Sequence, residues 1–205
     1  ACTLDITPFC SLNTPNSLAV CVDNSRQDIP PISGDFTFFG GIYRDVWLTA
    51  VSKQHFHLTN YGSEGIFIST PKVSEEKGTI LIRGDIKNDA TQKALLELEH
   101  IIYHPNGSIA QSLKQSIQIK AGEQYSFRSE TSPILSPQLW TPETPHLYRV
   151  ESILRDKKTK TVLDQSNHYT GFRWFSFDGE RGFSLNGKPY KLRGICRHQD
   201  QKPIG

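Results

Sequence analysis

The sequence predicts an all-β protein built around an immunoglobulin-like β-sandwich, on three observations. Short runs recur with apolar side chains on every second residue, as at 17–23, where Leu18, Val20 and Val22 share one face. Turn-forming residues separate these runs, including the Asn-Gly pairs at Asn106-Gly107 and Asn186-Gly187. Seven further runs fall within about 120 residues after position 50, the strand density of a two-sheet sandwich.

In chain order, the strand at 17–23 is followed by a polar, proline-bearing segment over 24–35, whose length points to function rather than a plain connection. A strand returns at 42–50. The composition then resets, and the sandwich runs are 55–59, 65–69, 78–83, 95–103, 112–119, 148–154 and 169–175. The run ending at Tyr103 also has a helical stripe, Leu95, Leu98 and Ile102, but the turn His104-Pro-Asn-Gly-Ser108 directly after it favours a strand. The same turn explains Asn106-Gly107-Ser108 more simply than glycosylation does. Asn186-Gly187 should join 182–185 to 188–193 as a two-residue hairpin.

Composition narrows the function class. Lys and Arg number 23 against 21 for Asp and Glu, which argues against a nucleic-acid binder with its concentrated basic face. No apolar run approaches the roughly 20 residues of a membrane span, so no membrane partner is expected. The chain starts at Ala1 and has no Met, so the expectation is that the native N-terminus lies upstream; the compartment stays open between bacterial cytoplasm, periplasm and secretion. Cys2, Cys10, Cys21 and Cys196 include no Cys-x-x-Cys pair, which argues against structural zinc. Buried free thiols are the simpler expectation, with a disulfide among the first three the alternative.

Three stretches go further. They are Ser33-Gly-Asp-Phe-Thr-Phe-Phe-Gly-Gly-Ile-Tyr-Arg-Asp-Val-Trp-Leu48, then Leu139-Trp-Thr-Pro-Glu-Thr-Pro-His-Leu-Tyr148, then Gly171-Phe-Arg-Trp followed by Leu185-Asn-Gly-Lys-Pro-Tyr-Lys-Leu-Arg-Gly and Arg197-His198. In this order and at these separations the chain resembles glycoside hydrolase family 2, which contains many β-galactosidases, β-glucuronidases and β-mannosidases. The resemblance implies three parts: the C-terminal part of a jelly-roll sugar-binding domain (1–50), the immunoglobulin-like sandwich (51–171), and a linker hairpin with the first strand of a truncated (β/α)8 TIM barrel (172–205). The parent would be a retaining hydrolase of terminal β-linked sugars, most like the β-galactosidases. Its partners would be the remainder of its own polypeptide and a β-galactoside or related glycoside. Mg2+ or Na+ would belong to the full-length enzyme, with no cofactor in this chain.

Candidate sugar contacts follow. Asp35 lies in the polar segment beside Phe36, Phe38 and Phe39; carboxylates accept paired hydrogen bonds from vicinal hydroxyls, and rings stack on sugar faces. By resemblance it reaches the sugar from the first domain. His198 and Asp200 fall where the first barrel strand would end, the face on which barrel sites are built. Gln199 stands where similar enzymes often carry Glu, leaving sugar preference open. Trp140, Pro142, Pro145 and Tyr148 read as a packed corner rather than a sugar platform. Gly40-Gly41 suits a bulge or close backbone approach, and Arg44 and Asp45 could form an ion pair.

Other polar clusters carry less. His55 and His57 share a strand face but have no third metal ligand at a recognisable spacing. Glu75-Glu76 and Glu97-x-Glu99 read as solvated charge, not as carboxylates facing each other across a sugar. No Asn-Glu pair occurs, so both catalytic glutamates are expected on later barrel strands and the isolated chain is expected to be inactive. The alternative is a non-catalytic sandwich module that binds carbohydrate or protein.

Overall fold

The computed structural model describes residues 3–11, 13–23, 41–42, 45–58 and 63–196. The chain separates into two compact units, residues 1–4 with 51–191, and residues 5–50 with 192–205. In the second unit the described residues contain one 3-10 turn, Thr7–Phe9, and no strand. The strands expected at 17–23 and 42–50 are therefore absent from the described residues, where Leu18 is 71% and Trp47 82% exposed. Alternation sorts side chains onto a face, but a strand also needs a neighbour to take its backbone hydrogen bonds. No described residue of this unit supplies one.

The first unit holds β1 (Gln54–Phe56), β2 (Ile66–Val73), β3 (Lys77–Asn88), β4 (Ala94–Tyr103), β5 (Ile109–Ile119), β6 (Gln124–Glu130), β7 (Ile134–Leu135), β8 (Tyr148–Asp156), β9 (Val162–Thr170), β10 (Phe175–Asp178), β11 (Gly182–Leu185) and β12 (Lys188–Pro189). One sheet gathers β1, β2, β6 and β7 antiparallel around β3; a second runs β5-β4-β8-β9; a small ribbon runs β10-β11-β12. The 95–103 run is strand β4, its turn closed by Gly107 at φ 86°. Edge strand β9 ends at Thr170 instead of running to residue 175. Its polar sequence hides its period, as does that of β6, in which Phe127 is the single buried side chain.

The two large sheets enclose one core. From β3 come Ile80, Ile82 and Ile86, and from the second sheet Leu96, Leu98, Ile117, Val150 and Leu154. Burying each such side chain contributes about 1.5–3 kcal/mol before conformational entropy is subtracted. Two glycines let aromatic rings lie over the central strand. A Cβ on Gly78 would sit 2.6 Å from the Phe172 ring, and one on Gly84 2.7 Å from Phe127.

Polar groups pin the sandwich at defined points. Asp164 on β9 accepts from the Phe56 amide of β1 at 2.8 Å, linking the two sheets. Asn88 is wholly buried; its Nδ2 donates to the carbonyls of Gln92 and Lys120, and its Oδ1 accepts from Gln54 Nε2 at 2.7 Å. His100 is buried in the core, with Nδ1 2.8 Å from Ser152 Oγ, its ring beside Phe127 and no partner on Nε2. Desolvation lowers its pKa to about 4.

The cysteine expectation changes: Cys10, Cys21 and Cys196 are free but exposed, not buried. None of them lies within the sandwich core, which Ile and Leu side chains dominate.

Candidate functional site

Asp35, His198 and Asp200 lie outside the described residues, as does Arg44. Within the described residues the candidate site is the junction between the sandwich and the β10–β12 ribbon.

The segment at 139–148 forms a corner. The Trp140 amide donates to the Phe172 carbonyl at 2.8 Å, and the Thr141 and Thr144 hydroxyls meet at 2.8 Å to close the turn between Trp140 and Pro145. Trp140 stacks under the Arg173 guanidinium, 4.5 Å from its ring centre, and lies so close to Gly171 that a Cβ there would come within 2.7 Å. Tyr148 is buried, edge-on to Phe172 at 4.8 Å, and its hydroxyl accepts from the Gln138 amide at 3.0 Å. Burial raises its pKa, against the opposing pull of that hydrogen bond. Trp140 and Tyr148 are packing residues, as their sequence context suggested.

The ribbon is fastened to this corner by two side chains. Asn186 and Gly187, both at positive φ (50° and 75°), make the two-residue turn expected from sequence. The Asn186 side chain also binds in two directions: Oδ1 accepts from the Trp174 amide at 3.1 Å, and Nδ2 donates to the Trp140 carbonyl at 3.0 Å. The Asn186 amide donates to the Trp174 carbonyl at 2.9 Å. Further along, the Tyr190 hydroxyl donates to Glu143 at 2.9 Å. Glu143 accepts from its own backbone amide and then from Tyr190, and both lower its pKa. The turn itself could be read from Asn-Gly; the bridge to Trp140 could not, because its acceptor is a backbone carbonyl 46 residues earlier.

The remaining polar clusters are structural in geometry. His55 Nδ1 lies 3.0 Å from the Ser52 carbonyl and its Nε2 3.9 Å from Asp89. Glu97 pairs with Lys160 at 3.0 Å. Glu99 corrects the expectation of solvated charge: it is buried beneath Arg155 and Lys114, at 2.7 and 3.1 Å. Desolvation by itself would raise its pKa, but hydrogen bonds from Lys114, Ser112 and Arg155 prevail and lower it. Among the described residues no group of three or more His, Cys, Asp or Glu gathers as a metal site, so none is assigned to the ions implied for the full-length enzyme. A shallow polar cleft of about 270 Å³ lies between the 104–108 turn and residues Ser136, Gln138 and Tyr148.

Comparison with known proteins places this geometry in context. The family described as "Glycosyl hydrolases family 2" matches residues 64–173, more than half of the chain. A solved β-glucuronidase 2 of Bacteroides uniformis, covalently bound to cyclophellitol-6-carboxylate aziridine, superposes with a TM-score of 0.95 at 72% identity, covering 100% of this chain and 24% of that one. The Bacteroides fragilis β-glucuronidase is 32% identical over 98% of this chain and 28% of its own length. The β-galactosidase BoGH2A of Bacteroides ovatus is 30% identical over 98% of this chain and 22% of its own. The chain thus spans about a quarter of the length of these relatives.

Proposed function

Because this chain belongs to glycosyl hydrolases family 2, we propose that it is the non-catalytic front portion of a retaining β-glycosidase acting on terminal sugars, with β-glucuronides as the favoured substrates. The observation that carries the sugar assignment is the 72% identity to the B. uniformis β-glucuronidase across the whole chain. The 30% identity to a β-galactosidase supports the galactoside reading less.

In this proposal residues 1–50 complete a jelly-roll, 51–171 form the sandwich, and 172–205 carry the chain into the barrel. Hydrolysis proceeds by double displacement. A barrel carboxylate attacks the anomeric carbon while a second carboxylic acid protonates the departing oxygen; water then cleaves the glycosyl-enzyme bond with net retention. Both carboxylates lie in the barrel, outside this chain. Asp35, His198 and Asp200 hold sugar hydroxyls, and the Asn186–Trp140 junction sets the angle at which the chain leaves the sandwich.

The test is to assay the full-length parent on aryl β-glucuronide and aryl β-galactoside. Preference for the glucuronide is expected. Preference for the galactoside would overturn the sugar assignment, and hydrolysis of neither would overturn the glycosidase reading.

A further inference from the structure

Two Asn-Gly pairs occupy hairpin turns of this chain, and the fold treats them differently. Asn106-Gly107 lies in the turn between β4 and β5, and Asn186-Gly187 in the turn between β11 and β12. An Asn followed by Gly is open to attack on its side-chain amide by the next backbone nitrogen, because Gly has no Cβ to block the approach. The dipeptide is the same in both places, so what separates the two is their surroundings.

At 106 nothing shields the amide. Asn106 and Gly107 are both exposed, and a Cβ built on Gly107 would meet nothing within 4 Å. The Ser108 amide donates to Asn106 Oδ1 at 3.0 Å, and the Ser108 hydroxyl donates to the same oxygen at 2.7 Å. Both donors belong to the turn itself, and they draw electron density from Cγ, the atom under attack. Nδ2, the leaving group, has no hydrogen-bond partner among the described residues. The Gly107 N–H donates to the His104 carbonyl at 2.9 Å, a bond in an exposed turn that has to open first.

At 186 both ends of the amide are held. Asn186 is 7% exposed; its Oδ1 accepts from the Trp174 amide and its Nδ2 donates to the Trp140 carbonyl. Turning Cγ towards the Gly187 nitrogen breaks both bonds. The Trp174 ring also crowds Gly187, 3.6 Å from where a Cβ would sit.

We propose that Asn106 is a site of spontaneous deamidation and that the fold protects Asn186 from the same reaction. The Gly107 nitrogen loses its proton to solvent and bonds to Asn106 Cγ. The Cγ–Nδ2 bond breaks, and ammonia leaves with a proton taken from water. A second water opens the cyclic imide at either carbonyl, giving aspartate or isoaspartate, with no electrons gained or lost. The product changes the cleft beside this turn. Its lining residues, His104, Asn106, Ser108, Ser136, Gln138 and Tyr148, include no carboxylate, so conversion places the first one there. The isoaspartyl form also adds a backbone carbon to a hairpin closed by the His104 amide and the Ser108 carbonyl at 2.8 Å. None of this depends on the glycosidase assignment.

Peptide mapping of the full-length parent after incubation at mildly alkaline pH compares both sites in one sample, with aspartyl and isoaspartyl peptides resolved by chromatography. In the folded protein Asn106 should convert about tenfold to a hundredfold faster than Asn186, the factor that two side-chain hydrogen bonds supply. In urea the two rates should converge. Conversion at Asn106 no faster than at Asn186 in the folded protein would overturn the proposal. A rate difference that persists undiminished in urea would also overturn it, because flanking sequence rather than the fold would then set the rates.

Discussion

Asn186 Nδ2 donates to the Trp140 carbonyl at 3.0 Å, so the turn of one hairpin is hydrogen-bonded to a corner 46 residues earlier in the chain. The same amide accepts from the Trp174 backbone, making a single side chain the hinge pin between sandwich and ribbon. Replacing Asn186 tests two properties separately. Asn186→Gly keeps access to φ 50° but removes both side-chain bonds; Asn186→Ala removes the bonds and strains the turn. The expected loss is about 1–3 kcal/mol for Gly, with Ala costing about 1 kcal/mol more. Amide exchange in β10 and β11 should accelerate in both variants. Unchanged exchange would show that the bridge does not hold the ribbon.

The two core glycines should be intolerant for a different reason. Gly78→Ala would place a methyl 2.6 Å from the Phe172 ring, in a strand that pairs with four others. Overpacking of this sort costs about 1–3 kcal/mol. Urea unfolding would show a lower midpoint at an unchanged slope. A neutral result would mean that the Phe172 ring can move aside.

Acid should destabilise the sandwich through His100. Its pKa falls from 6.5 in the unfolded chain to about 4 in the fold, because burial disfavours the charged ring. Above pH 6.5 both states are neutral and nothing is lost. Between pH 6.5 and about 4 the unfolded state binds a proton that the folded state refuses, so stability falls with falling pH by up to about 3 kcal/mol. Below that window the contribution is constant. Unfolding free energies measured across pH 4–7 should show this slope, and His100→Gln should flatten it. A variant with the same slope as the unmodified chain would place the titration elsewhere.

In the full-length parent, Asp35→Ala should lower kcat/KM on its preferred aryl glycoside by about tenfold to a hundredfold, the usual range for a charged hydrogen-bond partner. The melting temperature should stay within experimental scatter. Full activity in the variant would remove Asp35 from the sugar site. The isolated chain should show no turnover at all, and activity that persists through repeated purification would contradict the assignment of both catalytic carboxylates to the barrel.

Much of this was legible from residues alone. Asn-Gly at 106 and 186 announced tight turns, and the turn at 104–108 tipped the 95–103 run from helix to strand, because turn chemistry is local: a positive φ needs no distant partner. The family resemblance was likewise carried by contiguous motifs, and the match over 64–173 bears it out. What sequence left undecided depended on pairing. The 17–23 run has the pattern of a strand but no ladder among the described residues. β6 has a ladder but scarcely a pattern, since Phe127 alone is buried. Glu99 looked solvated until Arg155 and Lys114, on neighbouring strands, closed over it. The bridge from Asn186 to Trp140 required the sandwich corner and the ribbon to be brought together. The sequence thus determined period, turn and family, because backbone conformation is chosen within a few residues. The tertiary structure decided which groups are buried, paired or left open, because these depend on contacts between residues far apart in the chain.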